Sequence, residues 1–343
     1  MRRVPNHEGG TSSSSAAATR RKRATGESGK GARASEGRSR PGAVKAWLEE
    51  AQEKVLEEVR LQNGGAPFTK EEAARSQENM KLLSTTADTK GIPWGERALH
   101  FQYYNGKFVK RGFLLYSLLS SAFSSEHPAH EVLHRLLCSR EELYVSSIGG
   151  GPGTDASGLV KVNQDFLHVP RIYCTLYDLE RSWKNYLPKL RDVLLAEGQL
   201  SSLDFERCDV TQPLIHSHSL NKGLKVCAAT TDLFLFSYVC NETSSRCEKN
   251  GYAFFRDLAQ LAKDQALFLF MDVIGFSAKV FARIARAMEE AVLEPTQFSC
   301  PLDHAPSYHL QKFDLTLSNG SKSQSTQAML LYKSMQPPSS LSS

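Results

Sequence analysis

Four glycines crowd into five positions, Gly149, Gly150, Gly151 and Gly153 around Pro152, directly after the apolar run Leu143–Ile148. A glycine-rich turn at the carboxyl end of a first parallel strand is where open α/β sheets bind nucleotides, because bare backbone with φ > 0 can close on a ligand. The spacing Gly149-x-Gly151-x-Gly153 stops short of a dinucleotide fingerprint, since Thr154 stands at the sixth position, and it lacks the Lys-Ser/Thr of a phosphate-binding loop. Alone, the loop reads either as a nucleotide cradle or as a tight turn. Two acids further along add chemistry. Asp178 ends the apolar run Arg171–Tyr177, where a carboxylate can accept both hydroxyls of a ribose. Asp209 follows Asp204–Cys208, where it can accept from an adenine amino group with Val210 beside the ring. A single acid at a strand end is commonly a helix cap. Acids ending two successive strands fit a nucleoside better.

A fourth strand-like run, Asp232–Tyr238, opens from Ser237 to Thr243 into a polar stretch expected to be a loop. There Asn241 can orient an amide, an amine or a base edge, and Glu242 can accept a proton; both also read as caps of the next helix. Cys240 reads as a core thiol. His127, His130 and His134 share one helical face, but no fourth ligand lies nearby and no metal site is expected.

The elements that must carry these residues follow from periodicity. After Glu142, the strand-like runs Leu143–Ile148, Arg171–Tyr177, Asp204–Cys208, Asp232–Tyr238 and Leu267–Val273 alternate with helical stretches at Asp155–Asn163, Leu179–Ala196 (interrupted at Pro188), Arg246–Lys263 and Ala278–Ala291. Alternation of this kind implies a parallel sheet with helices on both faces. Tyr308–Leu317 and Gln327–Tyr332 read as a terminal antiparallel hairpin. Before Glu142 the pattern is helical: Ala43–Gln62 repeats Val44, Leu48, Ala51, Val55 and Val59, and Thr69–Glu72 has the form of a capping box. The expected fold is therefore α/β, a Rossmann-like seven-stranded, mostly parallel sheet with a terminal antiparallel hairpin and an N-terminal helical extension. The expected divisions are a disordered basic tail over 1–40, a helical extension over 41–140 serving as substrate or lid region, the sheet domain over 141–335 and a disordered end over 336–343.

From Leu143 to Lys333 the sequence resembles the class I S-adenosylmethionine-dependent methyltransferases. The resemblance rests on the glycine loop, the acids ending strands two and three, and the terminal hairpin. It implies S-adenosylmethionine as cofactor, with Gly149, Gly151 and Gly153 cradling its methionine part, Asp178 on the ribose and Asp209 on the adenine; Ser237, at the end of strand four, is a further candidate cofactor-binding residue. It places the acceptor at the loop after strand four, which makes Asn241 the candidate catalytic residue. That family usually carries an acid two residues before the first glycine; here the position is Ser147, and Asp155 either takes over the contact or caps the following helix.

Charge narrows the partners. Residues 1–40 hold 10 Lys/Arg against 3 Asp/Glu, whereas the remainder holds 32 against 34, so the body is close to neutral and the overall +5 belongs to the tail. Thr19–Arg23 (TRRKR) reads as a nuclear-import or nucleic-acid patch, a solvated charge run, or part of an organellar transit peptide. A nuclear or nucleolar location is expected, with the cytoplasm or an organelle as alternatives. The segment 100–113 interleaves aromatics with Lys107, Lys110 and Arg111, which suits RNA or an amphipathic lid. RNA, ribosomal RNA included, is the leading acceptor; a protein or small-molecule acceptor, or a non-catalytic binding module, stands as the alternative. No apolar run is long enough to span a membrane, and the 7 scattered cysteines point to free thiols in a reducing compartment.

Overall fold

Phenylalanine and leucine alternate along the central strands, and that alternation sorts the interior into two layers. The computed structural model describes residues 39–62, 64–85, 91–215, 220–273, 277–293, 308–317 and 326–335; residues 1–38 of the basic tail and residues 336–343 lie outside them. The strands are β1 (Glu142–Ile148), β2 (Arg171–Asp178), β3 (Ser202–Arg207), β4 (Leu233–Ser237), β5 (Leu267–Val273), β6 (Tyr308–Leu317) and β7 (Thr326–Met335). They form one sheet in the order β3-β2-β1-β4-β5-β7-β6. β1 to β5 pair in parallel, and β7 inserts antiparallel between β5 and β6. This is the expected seven-stranded sheet with its terminal antiparallel pair.

Leu233, Leu235, Leu267 and Leu269 point into one hydrophobic layer. Phe234, Phe236, Phe268 and Phe270 point into the other, stacked in cross-strand pairs at 4.9 and 4.5 Å. All eight are essentially inaccessible. Parallel strands buried on both faces read as continuous apolar runs, which is why they were visible in the sequence.

The leucine face is covered by α1 (Pro41–Gln62), α3 (Arg97–Ala122), α4 (His130–Leu137), α5 (Thr154–Val162) and α6 (Leu187–Ala196). The phenylalanine face is covered by α7 (Lys222–Cys227), α8 (Val239–Lys249), α9 (Ala253–Leu261) and α10 (Ser277–Leu293). α2 (Lys70–Thr85) opens with the expected capping box: Thr69 N–H donates to Glu72 Oε2 at 2.8 Å and Glu72 N–H to Thr69 Oγ1 at 3.1 Å.

The structure departs from the sequence reading at α6, α8 and α9, and it adds α7, which the sequence reading did not include. The stretch expected as one helix over Arg246–Lys263 is two helices, broken where Gly251 (φ 64°) and Tyr252 (φ 58°) turn left-handed. The polar stretch after Ser237 is helical from Val239 onward rather than a loop. Pro188 lies in the first turn of α6, where its missing N–H costs nothing, so it opens the helix rather than interrupting one.

Helices α3 and α5 cross at two glycines. A Cβ on Gly158 would lie 2.5 Å from the Gly112 carbonyl oxygen and 3.1 Å from Leu115 Cβ. Only bare backbone on both helices permits so close an approach. It seats the N-terminal half of α3 over the carboxyl edge of the sheet.

Candidate active site

The parallel strands β1 to β4 end in turns that deliver groups to the same edge. The loop after β1 is tied down by its backbone, with Gly149 N–H donating to the Tyr177 carbonyl at 2.8 Å. Gly149 takes φ 69°, and a Cβ there would sit 2.5 Å from Val239 Cβ. Gly149→Ala therefore combines a left-handed non-glycine with a clash against a neighbouring helix. We expect it to lower stability by about 2 kcal/mol, read as a fall in melting temperature of roughly 4–8 °C. Gly151 differs: its Cβ would meet Trp183 Nε1 at 3.6 Å and Asp178 Oδ2 at 3.7 Å, so the missing side chain leaves space inside the cavity.

That cavity is lined by Gly149 and Gly151 from the first loop, Asp178–Glu180 after β2, Cys208–Val210 after β3, and Ser237, Val239, Glu242, Thr243 and Arg246 at β4 and α8. Trp94, Tyr103, Arg111 and Trp183 complete the wall. Asp178 receives two backbone N–H groups, Gly151 onto Oδ2 and Glu180 onto Oδ1, each at 2.9 Å. Burial nevertheless raises its carboxyl to about 6, because it outweighs those donors and the nearby Arg111 charge. Asp209 Oδ1 accepts from the Thr211 N–H and hydroxyl at 2.9 and 2.7 Å.

Ser147 lies directly under the loop and is fully buried. It does not line the cavity. Its hydroxyl donates to Asp155 Oδ2 at 2.7 Å, and the Ser237 hydroxyl donates to Asp155 Oδ1 at 2.6 Å. Asp155 is itself wholly inaccessible, and burial raises its carboxyl above the usual range against those two hydroxyls and Arg111. An acid is thus present beneath the loop, reaching the cavity only through Ser237. Gly153 serves packing: a Cβ there would strike Leu190 Cδ2 at 2.4 Å.

Of the residues singled out in the sequence, the fold brings Gly149, Gly151, Asp178, Asp209 and Ser237 onto one wall, and leaves Ser147, Gly153 and Asp155 behind it. Asn241 does not line the cavity. Its backbone N–H donates to Asp272 Oδ2 at 3.0 Å, and its side-chain oxygen is buried without a partner among the described residues. One position on, Glu242 does face the cavity, with its carboxyl pushed up to about 7, chiefly by burial and against the pull of Arg111.

The wall from the N-terminal helices was not legible as a site. Tyr103 and Arg111 lie eight residues apart, on one face of α3. The Arg111 guanidinium sits 4.0 Å from the Tyr238 ring centroid and 5.1 Å from that of Tyr103. His100 stacks on Trp183 at 4.0 Å, and burial lowers it to about 4 despite Glu180, so it is neutral at pH 7. Tyr104 and Phe108 are fully buried core residues. In the sequence, only the mixture of aromatic and basic residues over 100–113 marked this region.

No protein-family model matches this chain, and no curated protein matches it by sequence. Among solved structures, it is similar to a putative class I S-adenosylmethionine-dependent methyltransferase from Listeria monocytogenes, at 9% identity and TM-score 0.40, covering 86% of this chain and 90% of that one. It is also similar to an O-methyltransferase family protein from Burkholderia thailandensis, at 11% identity and TM-score 0.43, covering 78% and 71%. A 16S rRNA (adenine(1408)-N(1))-methyltransferase variant from Catenulisporales acidiphilia gives 8% identity and TM-score 0.37 over 61% and 92%. At such similarity the fold assignment stands on the strand order itself.

Proposed function

We propose that the protein is an S-adenosylmethionine-dependent methyltransferase whose leading acceptor is RNA, through a group that must lose a proton. One observation carries the cofactor reading: the ends of β1, β2, β3 and β4 bring a glycine cradle, two strand-end acids and a serine onto a single wall. The residues fit the group. Asp178 keeps lone pairs beyond its two backbone donors for the ribose hydroxyls, Asp209 has Oδ2 for the adenine amino group, and the absent Gly151 side chain leaves room for the methionine part. When bound, the cofactor supplies an electrophilic methyl group on a sulfonium.

The chain's own contribution is placement and a base. Positioning supplies much of the rate in such displacements. Glu242 is the carboxylate suited to take a proton, since a group near 7 is both available and basic at neutral pH. The sign of its pH dependence follows. Below 7 the carboxyl is protonated and idle, so the rate of methyl transfer should fall about tenfold per pH unit and level off above 7. Glu242→Gln should remove that limb, and a profile unchanged by the substitution would exclude Glu242 as base.

RNA is supported by Lys107 and Lys110 on α3, beside the cavity-lining Arg111. The near-neutral charge of the body favours a protein or small-molecule acceptor as the second reading. Transfer of tritiated methyl from S-adenosylmethionine into a cell extract tests both. We expect label in ribonuclease-sensitive material; label surviving ribonuclease but not protease would move the assignment to protein.

A further inference from the structure

Arg111 acts on the carboxyls of Asp178 and Glu242 through its charge, without an ion pair to either among the described residues. It makes no hydrogen bond among them; its guanidinium is held between the rings of Tyr103 and Tyr238. Such a sandwich fixes a planar cation and leaves its N–H edge available. The residue is further immobilised by its neighbour, since Gly112 is the point at which α3 presses against α5.

Its position along the cavity decides what it can meet. Arg246, the other arginine of the lining, lies on α8 next to Cys247, whose Sγ reaches the Val210 carbonyl at 3.5 Å. Arg246 therefore belongs to the Asp209 end. Arg111 lies towards the opposite end, packed on Tyr238 immediately after Ser237 and in electrostatic range of Glu242 and, more weakly, of Asp155. At that end the two kinds of charge lie close together. Arg111 presents a cation. The Ser237 hydroxyl donates its hydrogen bond to the buried Asp155 carboxylate at 2.6 Å, which leaves the oxygen lone pairs of this cavity-lining residue to accept. A zwitterion, carboxylate on one side and ammonium on the other, is the ligand chemistry that matches both.

Resting on the S-adenosylmethionine reading, we propose that Arg111 binds the carboxylate of the cofactor's amino-acid end while Ser237, backed by Asp155, accepts from its ammonium. The N-terminal helices are then part of the cofactor site and not only a substrate platform. Arg111 is a binding residue for the cofactor.

Calorimetry with three probes separates this from the alternatives: S-adenosylmethionine, its decarboxylated analogue, and 5′-methylthioadenosine, which lacks the whole amino-acid end. Wild-type protein should bind S-adenosylmethionine about 30–100-fold more tightly than the decarboxylated analogue, as a charge-assisted, two-pronged contact would give. Arg111→Ala should erase that preference, weakening S-adenosylmethionine by about the same factor and 5′-methylthioadenosine by no more than about twofold, a coupling that a double-mutant cycle isolates. Arg111→Lys, which keeps charge but not the fork, should fall between. Equal weakening of all three probes by Arg111→Ala would overturn the proposal and make Arg111 a wall of the cavity, as would unchanged binding of S-adenosylmethionine. If wild-type protein binds none of the three, the cofactor reading itself falls. Retained melting behaviour of Arg111→Lys guards against a folding artefact.

Discussion

Replacing Asp178 by alanine should weaken S-adenosylmethionine binding by about two to four orders of magnitude, the loss of two hydrogen bonds from hydroxyls to a carboxylate at about 1.5–3 kcal/mol each, with about 1.4 kcal/mol to each tenfold. The expectation rests on where the carboxylate is held. Asp178 ends β2, and its two oxygens are already oriented by the Gly151 and Glu180 N–H groups at 2.9 Å. Those donors leave further lone pairs free and prevent the side chain from turning away. The substitution also strips Gly151 of its acceptor, loosening the loop that the cofactor would contact. Asp178→Asn separates the two effects: it keeps one oxygen for Gly151 or Glu180 but removes the charge, so binding should fall while melting behaviour stays close to wild type. Binding within about threefold of wild type for the alanine variant would remove this cavity as the cofactor site.

Asp178 also sets a pH dependence. Its carboxyl stands at about 6, raised by burial, and ribose hydroxyls donate to the ionised form. Affinity should therefore decline as pH falls below 6. The unliganded protein behaves in the opposite sense. A carboxyl raised on folding contributes stability that is fully present below its unfolded value and is lost as pH rises through 6. Between pH 4 and 6, then, the free protein should lose stability from this group as cofactor binding gains. Melting curves with and without ligand across that window check both signs together.

The second large effect is predicted at Gly158, far from any chemistry. A mid-helix glycine exposed to solvent is normally improved by alanine, by about 1 kcal/mol. Gly106 of α3 is such a case: its Cβ would meet only Met80 Cε at 3.8 Å, and Gly106→Ala should stabilise. Gly158 reverses the sign. Its Cβ would stand 2.5 Å from a backbone oxygen, which can yield only if the whole of α3 moves. Gly158→Val should cost about 3 kcal/mol or more, a drop in melting temperature of roughly 6–12 °C. Whatever remains folded should also bind cofactor poorly, because the displaced helix carries Tyr103 and Arg111 out of the wall. Equal melting temperatures for the Gly106 and Gly158 variants would show that the two helices do not cross at these glycines.

The contrast shows what was legible. β5 was read from the sequence over the same residues the structure gives, Leu267–Val273, because a strand buried on both faces must be apolar throughout. The terminal strands β6 and β7 were read as a hairpin because the turn-rich stretch Ser318–Gln324 separates the two runs. The start of α8 was not legible. VCNETSSRCEK is rich in residues that favour turns, and its helix forms because the surrounding structure satisfies it. Asp272 accepts the Asn241 N–H, and Cys240, Thr243 and Cys247 face inward at helical spacing. That register decides which side chain enters the cavity. It turns Glu242 in, and Asn241, one residue earlier, away.

By itself the sequence determined the order of strands and helices, the glycine loop, and the acids that end β2 and β3. Those features are local, and the parallel arrangement of the strands carries them to one edge with no further instruction. Tertiary structure alone decided two things. An acid expected at position 147 stands eight residues later, at Asp155, with Ser147 donating to it, because two side chains separated along the chain share one buried space beneath the loop. An arginine from an N-terminal helix enters the cavity because two glycines, Gly112 and Gly158, let α3 lie against α5. Neither pairing leaves a periodicity in the sequence, since contact between distant elements depends on which surfaces can approach and not on the spacing of residues within either one.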